Sequence, residues 1–334
     1  MSMAKQVQQK QLQLKKDVSP FENTDTRRSV RQLFTSLVPL AALWYGSYLS
    51  LSVSFILSLV IGVVAAGFVL RTFIIFHDCC HMSFFRNRKL NKIVGTITGA
   101  ITLTPFEQWK YSHAMHHATS SNLDKRGIGD IWILTVEEYR AASVWKKLQY
   151  RIYRNPIVMF GLGPIYIFLL LYRFNRRGAK RKERINTYVT NLLIVLLYAA
   201  LILLVGWKAF LLVQVPIFWF SGVFGIWLFY VQHQFEESYF EKDDEWSYVK
   251  AAVEGSSYYK LPKLLQWMSG NIGFHHVHHL SPKVPNYRLE EAHNATPPLQ
   301  QATTITLRTS LASLRFKLWD EAGRRFVRFR DAVL

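Results

Sequence analysis

Three short stretches concentrate imidazole: H-D-C-C-H at 77–81, H-A-M-H-H at 113–117 and H-H-V-H-H at 275–279. Residues i, i+3 and i+4 share one face of a helix. His77 and His81 form an i, i+4 pair, and His113, His116 and His117 an i, i+3, i+4 triple. In the last stretch, either His275, His278 and His279 or His275, His276 and His279 spans about 100° of helix circumference. The first choice repeats the spacing at 113–117. His233, in Y-V-Q-H-Q-F-E, and His293 stand apart. Eight or nine neutral imidazoles suit a pair of transition-metal ions, and imidazole alone leaves zinc, iron, copper and nickel open. Carboxylate-rich di-iron bundles use paired Glu-x-x-His motifs; here Glu290 to His293 is a single instance.

The elements that position these histidines are apolar. Half the residues are hydrophobic and 15% aromatic, yet the formal charge is +19. A soluble chain that basic would suggest nucleic acid. Residues 33–51, 52–70, 188–205 and 209–231 instead form charge-free apolar runs, each about as long as a helix needs to cross hydrocarbon. A membrane is therefore the expected partner and nucleic acid is not. The first 30 residues are polar and basic. Without an apolar signal region they read as a cytoplasmic tail, at most a short amphipathic helix on the membrane surface. The only cysteines, Cys79 and Cys80, are adjacent, which argues against a disulfide and for a reducing compartment.

Charge sets the orientation. Arg27, Arg28 and Arg31 precede the first run, Arg86, Arg88, Lys89 and Lys92 follow the second, and R-F-N-R-R-G-A-K-R-K-E-R fills 173–184. The positive-inside rule places these on the cytoplasmic face. The expectation is an all-α integral membrane protein with four transmembrane helices in two hairpins, at about 33–51, 52–76, 188–206 and 209–231. The Gly- and Thr-rich stretch 93–105 is too short to span and reads as re-entrant or interfacial. Residues 156–172 are long enough to cross, but parity puts them at the cytoplasmic interface. Every histidine then belongs to a cytoplasmic histidine-rich cap. The chain divides into a tail at 1–32, a membrane domain at 33–310 and a tail at 311–334, where W-D-E-A-G-R-R-F-V-R-F-R reads as an amphipathic helix.

The three histidine stretches, in this order and at these separations, resemble the histidine boxes of the membrane fatty-acid desaturase family. The resemblance runs from about residue 30 to 310. Y-V-Q-H-Q-F-E, S-S-N-L-D-K-R-G-I-G-D-I-W and N-I-G-F-H-H-V-H-H-L-S-P-K-V-P-N-Y look most like its bacterial acyl-lipid members acting at delta-5. The resemblance implies two non-haem iron ions held by His77, His81, His113, His116, His117, His275, His278 and His279, with zinc able to replace iron in a purified sample. His233 matches an extra histidine that some members place before the third box. Some relatives carry an asparagine one turn earlier, acting through water; here that position is Phe229. The first box has H-x3-H spacing where some relatives have H-x4-H. The resemblance also implies dioxygen, phospholipid acyl chains and a bacterial cell membrane. Electrons would come from a separate ferredoxin or flavodoxin, because the sequence shows no haem, flavin or nicotinamide motif. No catalytic residue beyond the metal ligands is implied.

Asp78, Asp130, Glu236 and Glu237 are candidates for carboxylates that orient ligating histidines. Phe73, Phe76, Phe106, Trp109, Trp227 and Phe274 are candidate walls of an acyl tunnel, although aromatics also fill cores and membrane interfaces. An acyl hydroxylase or carotenoid ketolase would share the same type of site. A membrane metal transporter or metal-binding protein would need ionisable groups inside its spans, where only Arg71 is found.

Overall fold

The computed structural model describes residues 3–332. Helix α1 (Met3–Val18) leads to α2 (Thr26–Ser50), which turns back into α3 (Phe55–His81). Asp25 accepts from the backbone N–H groups of Arg27 and Arg28, and Ser54 from that of Ile56. Each thereby satisfies donors that a helix start leaves unpaired. α4 (Arg88–Ile101), α5 (Phe106–Thr119), α6 (Val136–Ala141) and α7 (Val144–Tyr153) follow. The second hairpin is α8 (Arg181–Val205) and α9 (Trp207–His233), joined at Gly206 with φ 79°, a left-handed conformation that glycine adopts without steric cost. α10 (Tyr248–Val253), α11 (Lys263–Met268), α12 (His275–Leu280) and α13 (Leu289–Ala295) close one end of the bundle.

Three of these helices, α3, α8 and α9, are long and apolar enough to cross a membrane. α8 exposes Val195, Leu196, Leu203 and Leu204, an apolar surface of the kind that lipid covers. α2 has 25 residues but dilutes its leucines with Ser, Thr, Tyr and Pro39. A further candidate is α7 together with residues 157–173, bent by 62° at the junction. Pro156 and Pro164 lack the N–H an ordinary helix needs, and the chain forms wider π-helical turns at Ile157–Leu162 and Ile165–Leu170. Pro164 lies close over Gly222 of α9.

The stretch at 93–105 makes up most of α4, which begins earlier because Asn87 caps it. Its small and polar side, Asn91, Gly95, Thr98 and Gly99, is buried, while Leu90, Ile93 and Ile97 face outward. A Cβ on Gly95 would fall 2.3 Å from the Phe106 ring, and one on Gly99 2.5 Å from the Thr104 carbonyl. Those glycines let α4 lie directly against α5 and α3.

One terminal expectation changes. W-D-E-A-G-R-R-F-V-R-F-R is not an amphipathic helix. It forms an antiparallel hairpin, β3 (Leu318–Asp320) with β4 (Arg325–Val327), after a parallel pair of β1 (Tyr258–Lys260) and β2 (Thr304–Thr306). Trp319 opposes Phe326 in register and both are buried, as is Leu318, so these residues pack as short paired strands rather than along one helix face. The N-terminal segment, read as a tail or short helix, contains α1 and packs on the rest of the chain where α1 ends. Val18 is fully buried, Glu22 accepts from Ser281 Oγ at 2.7 Å, and Arg28 pairs with Glu291 at 2.5 Å. The main core lies beneath this cap, where Tyr230 and Val231 of α9 meet Val277, Leu289 and Trp319.

Candidate metal centre

His77 and His81 occupy the last turns of α3, and His233 ends α9. α5 and α12 lie between those ends. The imidazole nitrogens form two groups, within each of which all ligand atoms lie within 4.8 Å of one another. One group is His77, His81, His113, His117 and His278; the other is His116, His233, His275 and His279. α5 and α12 each serve both. On α5 the i, i+4 pair His113 and His117 faces the first group and His116 the second. On α12 the pair His275 and His279 faces the second group and His278 the first. His276 turns away, its Nε2 3.0 Å from His293 Nδ1.

The donor set fits metal. In the first group the Nε2 atoms of His77 and His113 are 3.0 Å apart, those of His113 and His117 3.1 Å, and those of His117 and His278 3.0 Å. In the second, His233 and His275 are 3.0 Å apart and His275 and His279 3.1 Å. Nitrogens this close, converging on one small volume, are donors that a metal ion would hold together. Nε2 of His81 and of His116 is buried without a hydrogen-bond partner, an arrangement that costs free energy unless something else takes the lone pair. Burial first, and neighbouring imidazoles second, hold His113, His117, His275, His278 and His279 well below the ordinary histidine pKa. Neutral imidazole is the form that ligates.

Outer partners fix several rings. His77 Nδ1 donates to Asp78 Oδ1 at 3.0 Å. The other oxygen of Asp78 accepts from the backbone and side-chain nitrogens of Asn286 at 2.7 and 2.8 Å, and Asn286 Oδ1 accepts from Gln32 Nε2 at 3.0 Å. His116 Nδ1 donates to Asp130 Oδ1 at 2.5 Å and His233 Nδ1 to the Gly255 carbonyl at 3.3 Å. Glu236 and Glu237 are exposed and bond no histidine among the described residues. The Asn286 and Gln32 links carry no sequence signal of their own, since neither residue type marks a ligand support.

The aromatic candidates separate into two sets. Phe73, Phe76, Phe106 and Trp109 form one cluster beside the first group. Trp109 lies 5.5 Å from Phe73 and 5.1 Å from Phe76, and stacks on His113 at 4.1 Å. Phe106 meets Phe76 edge-on. Trp227 instead donates to Tyr259 Oη and packs on Phe160. Phe274 stacks on Tyr258 at 4.6 Å and touches His293. These two residues support the cap rather than that wall.

Long apolar helices closed at one end by two groups of histidine nitrogens define a helical membrane protein with a candidate two-metal centre. The chain belongs to the fatty acid desaturase family: the family model named Fatty acid desaturase matches residues 50–309. It is 63% identical, over 96% of its own length and 91% of the relative's, to Fatty acid desaturase of Bacillus subtilis. It is 28% identical, over 67% of its length and 63% of the relative's, to the sn-1 oleoyl-lipid 12-desaturase of Synechocystis. With the chloroplastic Omega-6 fatty acid desaturase of Arabidopsis thaliana the identity is 28% over 70% of this chain and 51% of the plant protein.

Proposed function

We propose that this chain is a dioxygen-dependent acyl-lipid desaturase. It introduces a cis double bond, at delta-5, into acyl chains of membrane phospholipids. The observation that carries the reading is the convergence of nine histidines into groups of five and four, each sharing one small volume. His77, His81, His113, His117 and His278 hold one iron, and His116, His233, His275 and His279 the other. Imidazole donors accept iron and zinc alike; iron is the ion the family resemblance implies, and the all-histidine donor set would hold it. α2, α3, α8 and α9 span the cell membrane as two hairpins and the histidine cap faces the cytoplasm, which the basic 173–184 loop supports.

Bound iron supplies, with dioxygen, an oxidant strong enough for an unactivated methylene that no side-chain base can deprotonate. The residues of the chain provide everything around it. Asp78 and Asp130 keep the Nδ1 protons of His77 and His116 and so aim each Nε2 inward. Phe73, Phe76, Phe106 and Trp109 offer the first group an apolar, water-excluding wall along which an acyl chain lies. Electrons arrive from a separate ferredoxin or flavodoxin, drawn to the basic face by charge complementarity. Protein purified with iron and supplied with ferredoxin and its reductase should take up dioxygen only when phospholipid with saturated acyl chains is present. Uptake that ignores the lipid sinks the reading.

A further inference from the structure

Of the nine histidines in the two groups, only His81 keeps partial exposure; the other eight are buried. Its ring lies 4.9 Å from that of His113 and 4.8 Å from that of His117, so the first group comes nearest to the surface there. Ala114 of α5 is exposed beside it, and a single methyl group covers the helix that carries His113 and His117. Half-buried Lys110, one turn earlier, stands close enough to His81, Lys92 and Lys182 for their charges to act on one another. The basic 173–184 loop is tied to the same helix: Arg176 stacks on Tyr111 at 3.7 Å, and Gln108 donates to the Phe174 carbonyl at 3.3 Å. The acids on this side are neutralised, Glu107 by Lys182 at 3.3 Å and buried Glu183 by Arg176 at 2.9 Å. Among the described residues, exposed Lys89, Lys92, Arg177 and Arg181 pair with no carboxylate. The opposite sign borders the other end of α5. Residues 236–245, which follow His233, hold six acids in ten positions, and Leu123 N donates to the Glu241 carbonyl there at 2.9 Å. An acidic protein is therefore drawn to the first group's side and repelled from the second's.

We propose that the surface over His81, formed by Lys110, Ala114 and the exposed Lys89 and Lys92 of α4, docks an acidic, one-electron-carrying protein. The 173–184 loop extends this surface, and electrons enter the first group from the His81 side. The proposal rests on the desaturase reading, which requires electrons from outside. Two carriers are oxidised per double bond: dioxygen receives two electrons from them and two from the substrate's C–H bonds. With two protons from solvent and the two substrate hydrogens it leaves as two waters.

The test is desaturation by the full chain in phosphatidylcholine nanodiscs, with an acidic ferredoxin and its reductase varied in concentration. Lys89→Glu combined with Lys92→Glu should raise the KM for ferredoxin roughly tenfold. Iron per chain and kcat at saturating ferredoxin should stay as in the parent, and the KM difference should shrink in about 0.5 M salt, which screens surface charge. Arg308→Glu combined with Arg315→Glu makes the same change of net charge at exposed positions of the cap, and should move KM by less than about twofold. An unchanged KM in the α4 variant, or an equal rise in the cap variant, overturns the docking surface while desaturation by the parent stands. A defect seen only in discs containing phosphatidylglycerol assigns the lysines to lipid headgroups and overturns it too. An iron-loaded parent that forms no double bond with ferredoxin or flavodoxin overturns the desaturase reading, and the docking surface with it.

Discussion

Each imidazole brings two nitrogens, and at this centre the outward one decides how firmly the inward one is held. Asp78 shows the logic most fully, since one oxygen takes the His77 proton while the other takes two donors from Asn286. A carboxylate pinned from both sides cannot swing away from its histidine. Asp130→Asn, which weakens the grip on His116 Nδ1, should lower iron affinity by about 10- to 100-fold with little change in helical content, as read by metal titration against circular dichroism. Acid should act on the same residues together. His113, His117, His275, His278 and His279 have folded-state pKa values pushed well below the ordinary one by burial, and His276 lies at about 3 for the same reason. In that situation the unfolded chain binds more protons than the folded one. Stability is then full above the unfolded pKa of about 6.5 and falls as pH drops below it, by up to about 1.4 kcal/mol per histidine per pH unit. Metal-free protein in detergent should therefore show a steep fall in melting temperature just below pH 6.5, and a flat profile across pH 5–7 would refute it. Sequence spacing exposed the three boxes and their shared faces. It could not show that the i+3 histidine of α5 and of α12 serves the opposite group, because that depends on how the two helices cross. Nor could it separate Asp78 and Asp130 from Glu236 and Glu237, since side-chain type says nothing about which carboxylate faces a ring.

At the level of elements, close helix contact rather than hydropathy builds the wall beside the first group. Gly95 and Gly99 let α4 press on Phe106 and on the Thr104 carbonyl, which fixes Phe106 against Phe76. Gly95→Val should cost about 1–3 kcal/mol through overpacking and displace the Phe106 ring. A lower melting temperature together with a shifted double-bond position or lower turnover would bear this out; an unchanged melt would count against the packing account. The N-terminal segment makes a similar structural claim. Val18 packs into the core beneath the cap and Glu22 accepts from Ser281, so removing residues 1–24 should loosen α12 and α13 and lower iron retention, measured as the rate of iron loss to a chelator. The long apolar helices were legible from charge-free runs alone. The two ends were not. In the N-terminal segment Val18 is buried and Leu14 and Phe21 partly so, apolar residues scattered among lysines and glutamines in too sparse a pattern for any period. In the C-terminal hairpin the arginines around Phe326 conceal strands of three residues each, with Leu318, Trp319 and Phe326 buried.

For the whole molecule, orientation follows from where the charges lie. The turn at 51–54 has no charge, whereas 173–184 is the most basic stretch, and the proposed topology puts them on opposite sides. Ser52→Cys should react with a membrane-impermeant maleimide on intact cells, and Gly178→Cys only after permeabilisation. Both positions are exposed, and the native Cys79 and Cys80 are buried, which keeps background labelling low. Equal labelling of both sites from outside would invert or abolish the proposed hairpins. The central claim is nevertheless chemical. Its most direct measurement is the phospholipid fatty-acid profile of a bacterial host that lacks desaturases and expresses this chain, with double-bond positions located by mass spectrometry. The account predicts cis-unsaturated acyl chains with the bond at delta-5, absent when His278→Ala replaces the parent. Stable membrane protein with full iron and added ferredoxin and reductase that yields no double bond, or yields hydroxylated or ketolated products instead, would contradict it.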